Sequence, residues 1–379
     1  MTCATCGQEL VEGALFCENC GAKVGADAAP TALDVPAGAT DDDSPISRPT
    51  SVNHQQVVAD APQTRVCAEC GGTVGAEGYC DQCGAKAATE RDHFREAPAA
   101  WVAGVCDRGV QHHRNEDAMA LWADASGRAV LVVCDGVSSS ADSDVASLAA
   151  ARAARDVLRA PMPKGLGVPE SVEAAAAKVF AQAAAAANTA VIANTAPSSP
   201  NPASCTFVAV TLEGELLRHA CIGDSRAYWF PDAGEGVQLT TDDSMAQMLI
   251  AGGTSREEAE RAPQAHAITK WLGKDSPDIV PVSGSRVLEG AGWVLVCSDG
   301  LWNYASHPAA LRTQLDAALT SVGESGQAAP AEGGAAPAPA EGSAAAVPAD
   351  VALALVEFAK QAGGHDNITV ALARVGAAG

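Results

Sequence analysis

The sequence predicts an α+β domain of catalytic size with two small cysteine-built units in front of it. Three observations carry this reading. From about Ala99 onward, short β-branched runs alternate with Ala-rich stretches of helical period. Before that point the pattern Cys-x-x-Cys-Gly occurs four times, in two pairs. Between the pairs, and again from Ser321 to Pro348, large apolar residues nearly vanish.

The knuckles are Cys3/Cys6/Gly7, Cys17/Cys20/Gly21, Cys67/Cys70/Gly71 and Cys80/Cys83/Gly84, and both pairs end in Gly-Ala-Lys. Two Cys pairs joined by a hairpin offer four thiolates, the set a structural Zn²⁺ takes in tetrahedral geometry. A glycine after each pair allows a left-handed turn that frees backbone N–H groups to face the sulfurs. Units this small need the metal to fold. Residues 1–23 and 65–87 are therefore predicted to be zinc ribbons with one Zn²⁺ each, adjacent pairing being the simplest arrangement. Residues 24–64 and 88–98 read as linkers, the first disordered. The remaining cysteines, Cys106, Cys134, Cys205, Cys221 and Cys297, lie in or beside apolar runs and are expected in the core.

Residues 99–379 form the main domain. The runs Ala129–Cys134, Thr206–Leu212, Leu216–Ile222, Trp293–Cys297 and Ile368–Ala373 predict strands. Ala141–Arg159 and Glu170–Asn194 predict long helices, and Ser255-x-x-Glu258 is a capping box opening a short one. Asp350–Ala362 predicts a last amphipathic helix, stopped by Gly363-Gly364. The low-complexity stretch 321–348 is read as a disordered insertion.

Charge narrows the function. A net charge of −22 repels phosphate backbones and anionic lipid, so neither nucleic acid nor membrane is expected as a partner, whereas multivalent cations are welcome. The start, Met1-Thr2-Cys3, lacks the basic and apolar regions of a signal peptide. Ala174–Ile192 is interrupted by Lys178, Gln182 and Asn188, so no membrane span is expected there. Thirteen cysteines read as ligands or core thiols fit a reducing cytoplasm.

Carboxylates recur at strand ends. Val133-Cys134 runs into Asp135-Gly136, Val296-Cys297 into Ser298-Asp299-Gly300, and Ile222 into Gly223-Asp224-Ser225-Arg226, while Asp366-Asn367 precedes the last strand. One Asp-Gly is ordinarily a hairpin turn. Four such sites let a sheet aim several carboxylates at one point, where only cations relieve their repulsion, and hard oxygen ligands select Mg²⁺ or Mn²⁺.

The segment from Asp107 to Asp117, Asp-Arg-Gly-Val-Gln-His-His-Arg-Asn-Glu-Asp, resembles the first motif of the metal-dependent protein phosphatases of the 2C type. The resemblance continues in order through Val-Cys-Asp135-Gly136, Ser204-Cys-Thr206-Phe, Ile-Gly-Asp224-Ser225-Arg226, Leu239-Thr-Thr-Asp242, Ile268-Thr-Lys-Trp-Leu-Gly273, Cys-Ser-Asp299-Gly300-Leu and His365-Asp366-Asn367-Ile-Thr-Val. It covers roughly Trp101 to Val375 apart from the insertion. It implies a four-layer αββα sandwich, two antiparallel sheets flanked by helices. It implies that Asp135 bridges two Mg²⁺ or Mn²⁺ ions with help from the Gly136 carbonyl, that Asp299 and Asp366 complete one ion, and that Glu116 and Asp117 hold metal-bound waters. Asp224 with Asp299 would hold a third, weaker ion, and Asn367 would order the Asp366 loop. The implied reaction is hydrolysis of phosphoserine and phosphothreonine in proteins by a water bridging the two ions, on substrates of Ser/Thr kinases, by a monomeric catalytic domain.

Two positions depart from the family pattern. His112 stands where an Arg often grips substrate phosphate, leaving His112 itself, Arg108 or Arg114 to take that role. Val137-Ser138-Ser139-Ser140 follows the second motif, where some members carry a His. An alternative function is a phosphatase-like adaptor that docks partners through its ribbons without efficient catalysis.

Overall fold

The computed structural model describes residues 65–66, 70–75, 78–84, 87, 89–138, 140, 142–325 and 347–376. The first predicted ribbon with Cys3, Cys6, Cys17 and Cys20, the linker 24–64, Cys67 and residues 326–346 lie outside them. The second ribbon contributes a short antiparallel pair, β1 (Arg65–Val66) with β2 (Thr73–Val74).

Two antiparallel sheets build the body. One has the order β11 (Val237–Gln238), β10 (Arg226–Pro231), β14 (Gly292–Cys297), β15 (Ile368–Val375), β4 (Val102–Asp107) and β3 (His93–Ala99). The other has the order β13 (Val282–Val287), β9 (Leu216–Ile222), β8 (Phe207–Glu213), β6 (Arg128–Cys134) and β5 (Ala118–Ala123). A two-residue pair, β7 (Ser204–Cys205) with β12 (Leu272–Gly273), extends the β6–β8 region. Val102, Met119, Leu131, Val208, Leu217 and Val294 belong to a single core drawn from strands of both sheets. The outer faces are covered too, so β4, β6 and β14 are buried along almost their whole length and read as unbroken apolar runs.

Helices form the outer layers. α1 (Ser143–Leu158) and α2 (Pro169–Ala193) cover the five-stranded sheet. Their buried faces are largely alanine: Ala146, Ala150, Ala151 and Ala154 on α1, and Ala176, Ala183, Ala184 and Ala187 on α2. Such small side chains let helix backbones approach closely. α2 is long and apolar enough, by length and composition, to cross a membrane, and here Phe180 and its alanine face are buried in the helix-side core. α3 (Met245–Ala251) and α4 (Arg256–Glu260) form a small satellite with its own apolar cluster. α4 opens as predicted, Glu258 N–H donating to Ser255 Oγ. α5 (Asp299–Trp302), α6 (Pro308–Ser325) and α7 (Pro348–Gln361) cover the six-stranded sheet. The architecture is thus the four-layer αββα sandwich expected.

Two boundaries differ from the sequence reading. Residues 93–98 are not linker: with Ala99 they form β3, paired along β4 with a bulge between Glu96 and Ala99. That segment, with charged and proline residues on an edge strand, lacks the apolar run that marks a buried strand. The insertion also begins later than Ser321, because α6 continues to Ser325.

Candidate active site

The strand registers bring the acidic motifs to one end of the sandwich. Cys134 pairs with Ala118, and Phe207 with Ile222, so Asp135, Asp117 and Asp224 leave the five-stranded sheet at the same edge. Cys297 pairs with Val370 and with Arg226, and Ile368 with Asp107, so Asp299 and Asp366 leave the other sheet there as well. Antiparallel pairing makes this possible, since the end of one strand abuts the start of the next.

Close backbone packing holds the loops together. A Cβ on Gly300 would lie 2.0 Å from the Asn367 carbonyl oxygen, and one on Gly109 would lie 2.1 Å from that of Asp366. Only glycine fits at either point. Asn367 ties the first-motif loop down: its Nδ2 donates to the carbonyls of Arg108 (2.8 Å) and Arg114 (3.0 Å), and its Oδ1 accepts from Glu116 N–H (2.8 Å). Thr206 Oγ1 accepts from Asp135 N–H at 3.0 Å and contacts Ser225 Oγ at 2.7 Å.

The carboxylates face one another with too few partners. Asp117 is buried, and its Oδ2 accepts from Ser298 Oγ (2.6 Å) and Thr369 Oγ1 (2.7 Å). Asp117 Oδ1 and Asp299 Oδ1 are buried with no hydrogen-bond partner. Asp299 Oδ2 accepts from Asn303 Nδ2 at 3.0 Å. Burial pushes Asp135 well above the usual carboxylate range, reinforced by Asp117, Asp299, Asp366 and Asp224. Burial likewise raises Asp299 strongly, with Asp366 and Asp224 adding to it. Asp117 rises to about 6 and Asp224 to about 7, again chiefly by desolvation. Orphaned oxygens and mutually raised acids are what a divalent-cation site of hard oxygen ligands looks like from the protein side. The residues present fit Mg²⁺ or Mn²⁺.

Glu116 is held from several sides. Arg114 donates to its Oε1 through Nη2 (2.6 Å) and Nε (3.0 Å), and Ser143 Oγ reaches the same oxygen. Arg114 Nη2 also donates to the Ser140 carbonyl at 3.0 Å. The Arg114 guanidinium is therefore engaged with Glu116. His112 lies at the cluster itself, Nε2 3.3 Å from Asp366 Oδ1 and Nδ1 3.9 Å from Glu116 Oε2. Gly136 sits behind Asp135, bridged to Cys205 and packed on the Glu116 carbonyl.

Sequence reasoning passed over Ser298 and Thr369 as partners of Asp117, although both stand in the quoted motifs. Asn303 and Arg91 lie in no recognised motif. The five core cysteines are all buried. Desolvation pushes the Cys106 and Cys221 thiols up to about 12, which leaves them inert as nucleophiles.

In the second ribbon the sulfurs of Cys70, Cys80 and Cys83 lie within 4.8 Å of one another. Gly71 and Gly84 both have φ of +73°, the left-handed turn expected after each knuckle. Gln82 N–H points at Cys80 Sγ (3.4 Å), and backbone N–H groups of Cys83 and Gln82 lower the Cys80 thiol to about 7.

A two-sheet sandwich with acidic loops gathered at one edge defines a class of carboxylate-centred folds. Within that class, the protein phosphatase 2C family matches residues 108–331, and the chain belongs to this family. A zinc-ribbon domain matches residues 2–24. The chain is 32% identical over 172 residues to the serine/threonine protein phosphatase PstP of Mycobacterium tuberculosis, covering 45% of this chain and 27% of that protein. It is 34% identical over 155 residues to protein phosphatase PhpP of Streptococcus pneumoniae, covering 41% and 51% respectively. The chain thus spans about a quarter to a half of the length of these curated relatives. The crystal structure of the M. tuberculosis PstP phosphatase superposes with a TM-score of 0.51 at 28% identity, covering 72% of this chain and 97% of that one. The S. agalactiae serine/threonine phosphatase shares the fold, with a TM-score of 0.55 at 24% identity over 74% of this chain and all of that one.

Proposed function

We propose that the chain is a metal-dependent Ser/Thr protein phosphatase that hydrolyses phosphoserine and phosphothreonine in proteins. The observation that carries this reading is the meeting of Asp117, Asp135, Asp224, Asp299 and Asp366 with buried, unpartnered oxygens on Asp117 and Asp299. The relatives' names, serine/threonine and protein phosphatases, support the substrate class.

Asp135, Asp299 and Asp366, with the Gly136 carbonyl, would hold two Mg²⁺ or Mn²⁺ ions, and Asp224 with Asp299 a third. When bound, the ions supply positive charge to the phosphoryl oxygens and acidify water. Glu116 and Asp117 stand behind that group, fixed by Arg114, Ser143, Ser298 and Thr369. His112, a quarter exposed and 3.3 Å from Asp366, would offer a donor to a phosphate oxygen at the cluster. Arg114 orients Glu116 rather than reaching for substrate. Each ribbon would hold one structural Zn²⁺, two per chain, and a net charge of −22 disfavours nucleic acid and anionic membrane as partners. The cytoplasm is the compartment that keeps these thiols reduced.

The test uses the full chain on a phosphothreonine peptide and an aryl phosphate. Turnover is expected with added Mn²⁺, and is expected to stop with EDTA. Full rates in metal-free buffer would sink the reading, as would no turnover on either substrate at saturating Mn²⁺.

A further inference from the structure

The segment that joins the second ribbon to β3 is bonded to the first-motif loop. The Arg91 carbonyl accepts from Asn115 Nδ2 at 2.9 Å, and the Asp92 carbonyl accepts from Arg108 N–H at 2.8 Å. The Arg91 side chain reaches the other way, donating through Nη2 to the Asp144 carbonyl in the first turn of α1 at 2.8 Å. Its guanidinium lies 5.3 Å from the Phe94 ring centroid, and Nη1 is buried without a hydrogen-bond partner. Arg91 as a whole is only partly buried, but a buried donor left unmet is costly.

Upstream, the connection to the ribbon is short. Ala87 N–H donates to the Gly78 carbonyl at 2.7 Å inside the ribbon. Thr89 N–H donates to Asp92 Oδ2 at 2.6 Å, and Asp92 N–H to the Thr89 carbonyl at 3.0 Å, closing a turn. One residue separates Ala87 from that turn.

We propose that Arg91 is a positioning residue for catalysis: it clamps the Asn115–Glu116–Asp117 loop against α1 and couples that loop to the second ribbon. The proposal rests on the metal-dependent reading of the cluster. Arg91 touches no reacting atom. It fixes the carboxylates that back the metal ligands, and residues in that position typically alter metal affinity 10- to 100-fold.

The experiment compares the full-length chain with Arg91→Met, which keeps an unbranched apolar stem and removes the charge, and with Arg91→Lys, which restores it. A fourth protein keeps Arg91 and carries a four-residue Gly-Ser insertion between Ala88 and Thr89. Mn²⁺ affinity is measured by calorimetry, and amide exchange is followed across residues 108–117 in metal-free protein. Arg91→Met is expected to weaken Mn²⁺ binding about tenfold and to speed exchange in that loop, and Arg91→Lys to recover most of the affinity. The insertion is expected to speed exchange in the loop with Arg91 intact. Affinity within twofold of wild type and unchanged exchange in Arg91→Met would overturn the clamp, and unchanged exchange in the insertion variant would overturn the coupling. Both readouts need no substrate. A wild-type chain without turnover counts against the phosphatase reading alone, and one that binds no Mn²⁺ leaves the exchange comparison to decide the clamp.

Discussion

Two groups of buried charge sit side by side at the edge of the sandwich, and they are satisfied in opposite ways. Arg226 and Asp242 are both almost fully buried, and Arg226 donates to both Asp242 oxygens at 2.6–3.0 Å. The same guanidinium stacks 3.5 Å from the Trp302 ring centroid and donates to the Ser306 carbonyl. Among the described residues no arginine or lysine hydrogen-bonds Asp117, Asp135, Asp224, Asp299 or Asp366, and Asp117 Oδ1 and Asp299 Oδ1 have no partner at all. The first group completes its charge balance from within the chain. The second needs charge from outside, which marks it as the place where function lies.

The sharpest break in this comparison is expected at Asp135. Asp135→Asn and Asp299→Asn each remove a charge that a cation requires. Turnover should fall on the order of 10³-fold, since metal stabilisation of the transition state supplies several kcal/mol. The metal-free domain should stay folded, because each change relieves repulsion. Rates near wild type with unchanged Mn²⁺ dependence would reassign the ligand.

The other group should respond through stability. Arg226→Ala strands Asp242 as an uncompensated buried charge, and a loss of about 3–5 kcal/mol is expected in denaturant titrations. Trp302 Nε1 donates to the Asp224 carbonyl at 2.9 Å, so disorder there should reach the acidic edge as well. A loss below about 1 kcal/mol would show that the pair is not the internal counterpart described.

Next in size is a pH effect. Asp117 and Asp224 have folded pKa values of about 6 and about 7, above their unfolded value near 3.8. Their folded forms bind protons more tightly, so they stabilise the fold fully below pH 3.8 and lose that contribution as pH rises through 6 and 7. Metal-free protein should melt higher at pH 5 than at pH 8, and saturating Mn²⁺ should reduce that difference. The same melting temperature at both pH values without metal would remove the reading of unrelieved repulsion.

The smallest effect is expected at His112. A guanidinium holds its charge at every working pH and pairs two phosphate oxygens. His112→Arg should lower KM a few-fold on a phosphopeptide. A higher KM with intact Mn²⁺ affinity would give the imidazole, 3.3 Å from Asp366, a role that Arg cannot copy.

The comparison also explains what could be read from the sequence. Asp135, Asp299, Asp224 and Asp366 were visible because each follows or precedes an apolar run, and a strand end is a local pattern. The sandwich itself came from resemblance, since alternating strands and helices fit several layer arrangements. β3 was missed because its burial alternates with exposed charge and proline, and its pairing with β4 is a tertiary fact. Arg91 reads as linker because nothing local shows that its carbonyl meets Asn115 or that its guanidinium meets α1. For the phosphate grip the sequence leaves His112, Arg108 and Arg114 open, because local spacing does not show that the Arg114 guanidinium binds Glu116.

The alanine-lined buried faces of α1 and α2 carry a thermal consequence. An alanine loses no side-chain rotamer freedom on burial, and it also removes little apolar area from water. The heat capacity of unfolding grows with the apolar area exposed, by roughly 0.45 cal/K/mol for each Å². Per buried residue, the helical layer over the five-stranded sheet therefore adds less to the curvature of stability with temperature than the Val- and Leu-rich seam between the sheets. On cooling, the seam should weaken first, while the alanine layer keeps nearly the same hold on the back of β5 and β6.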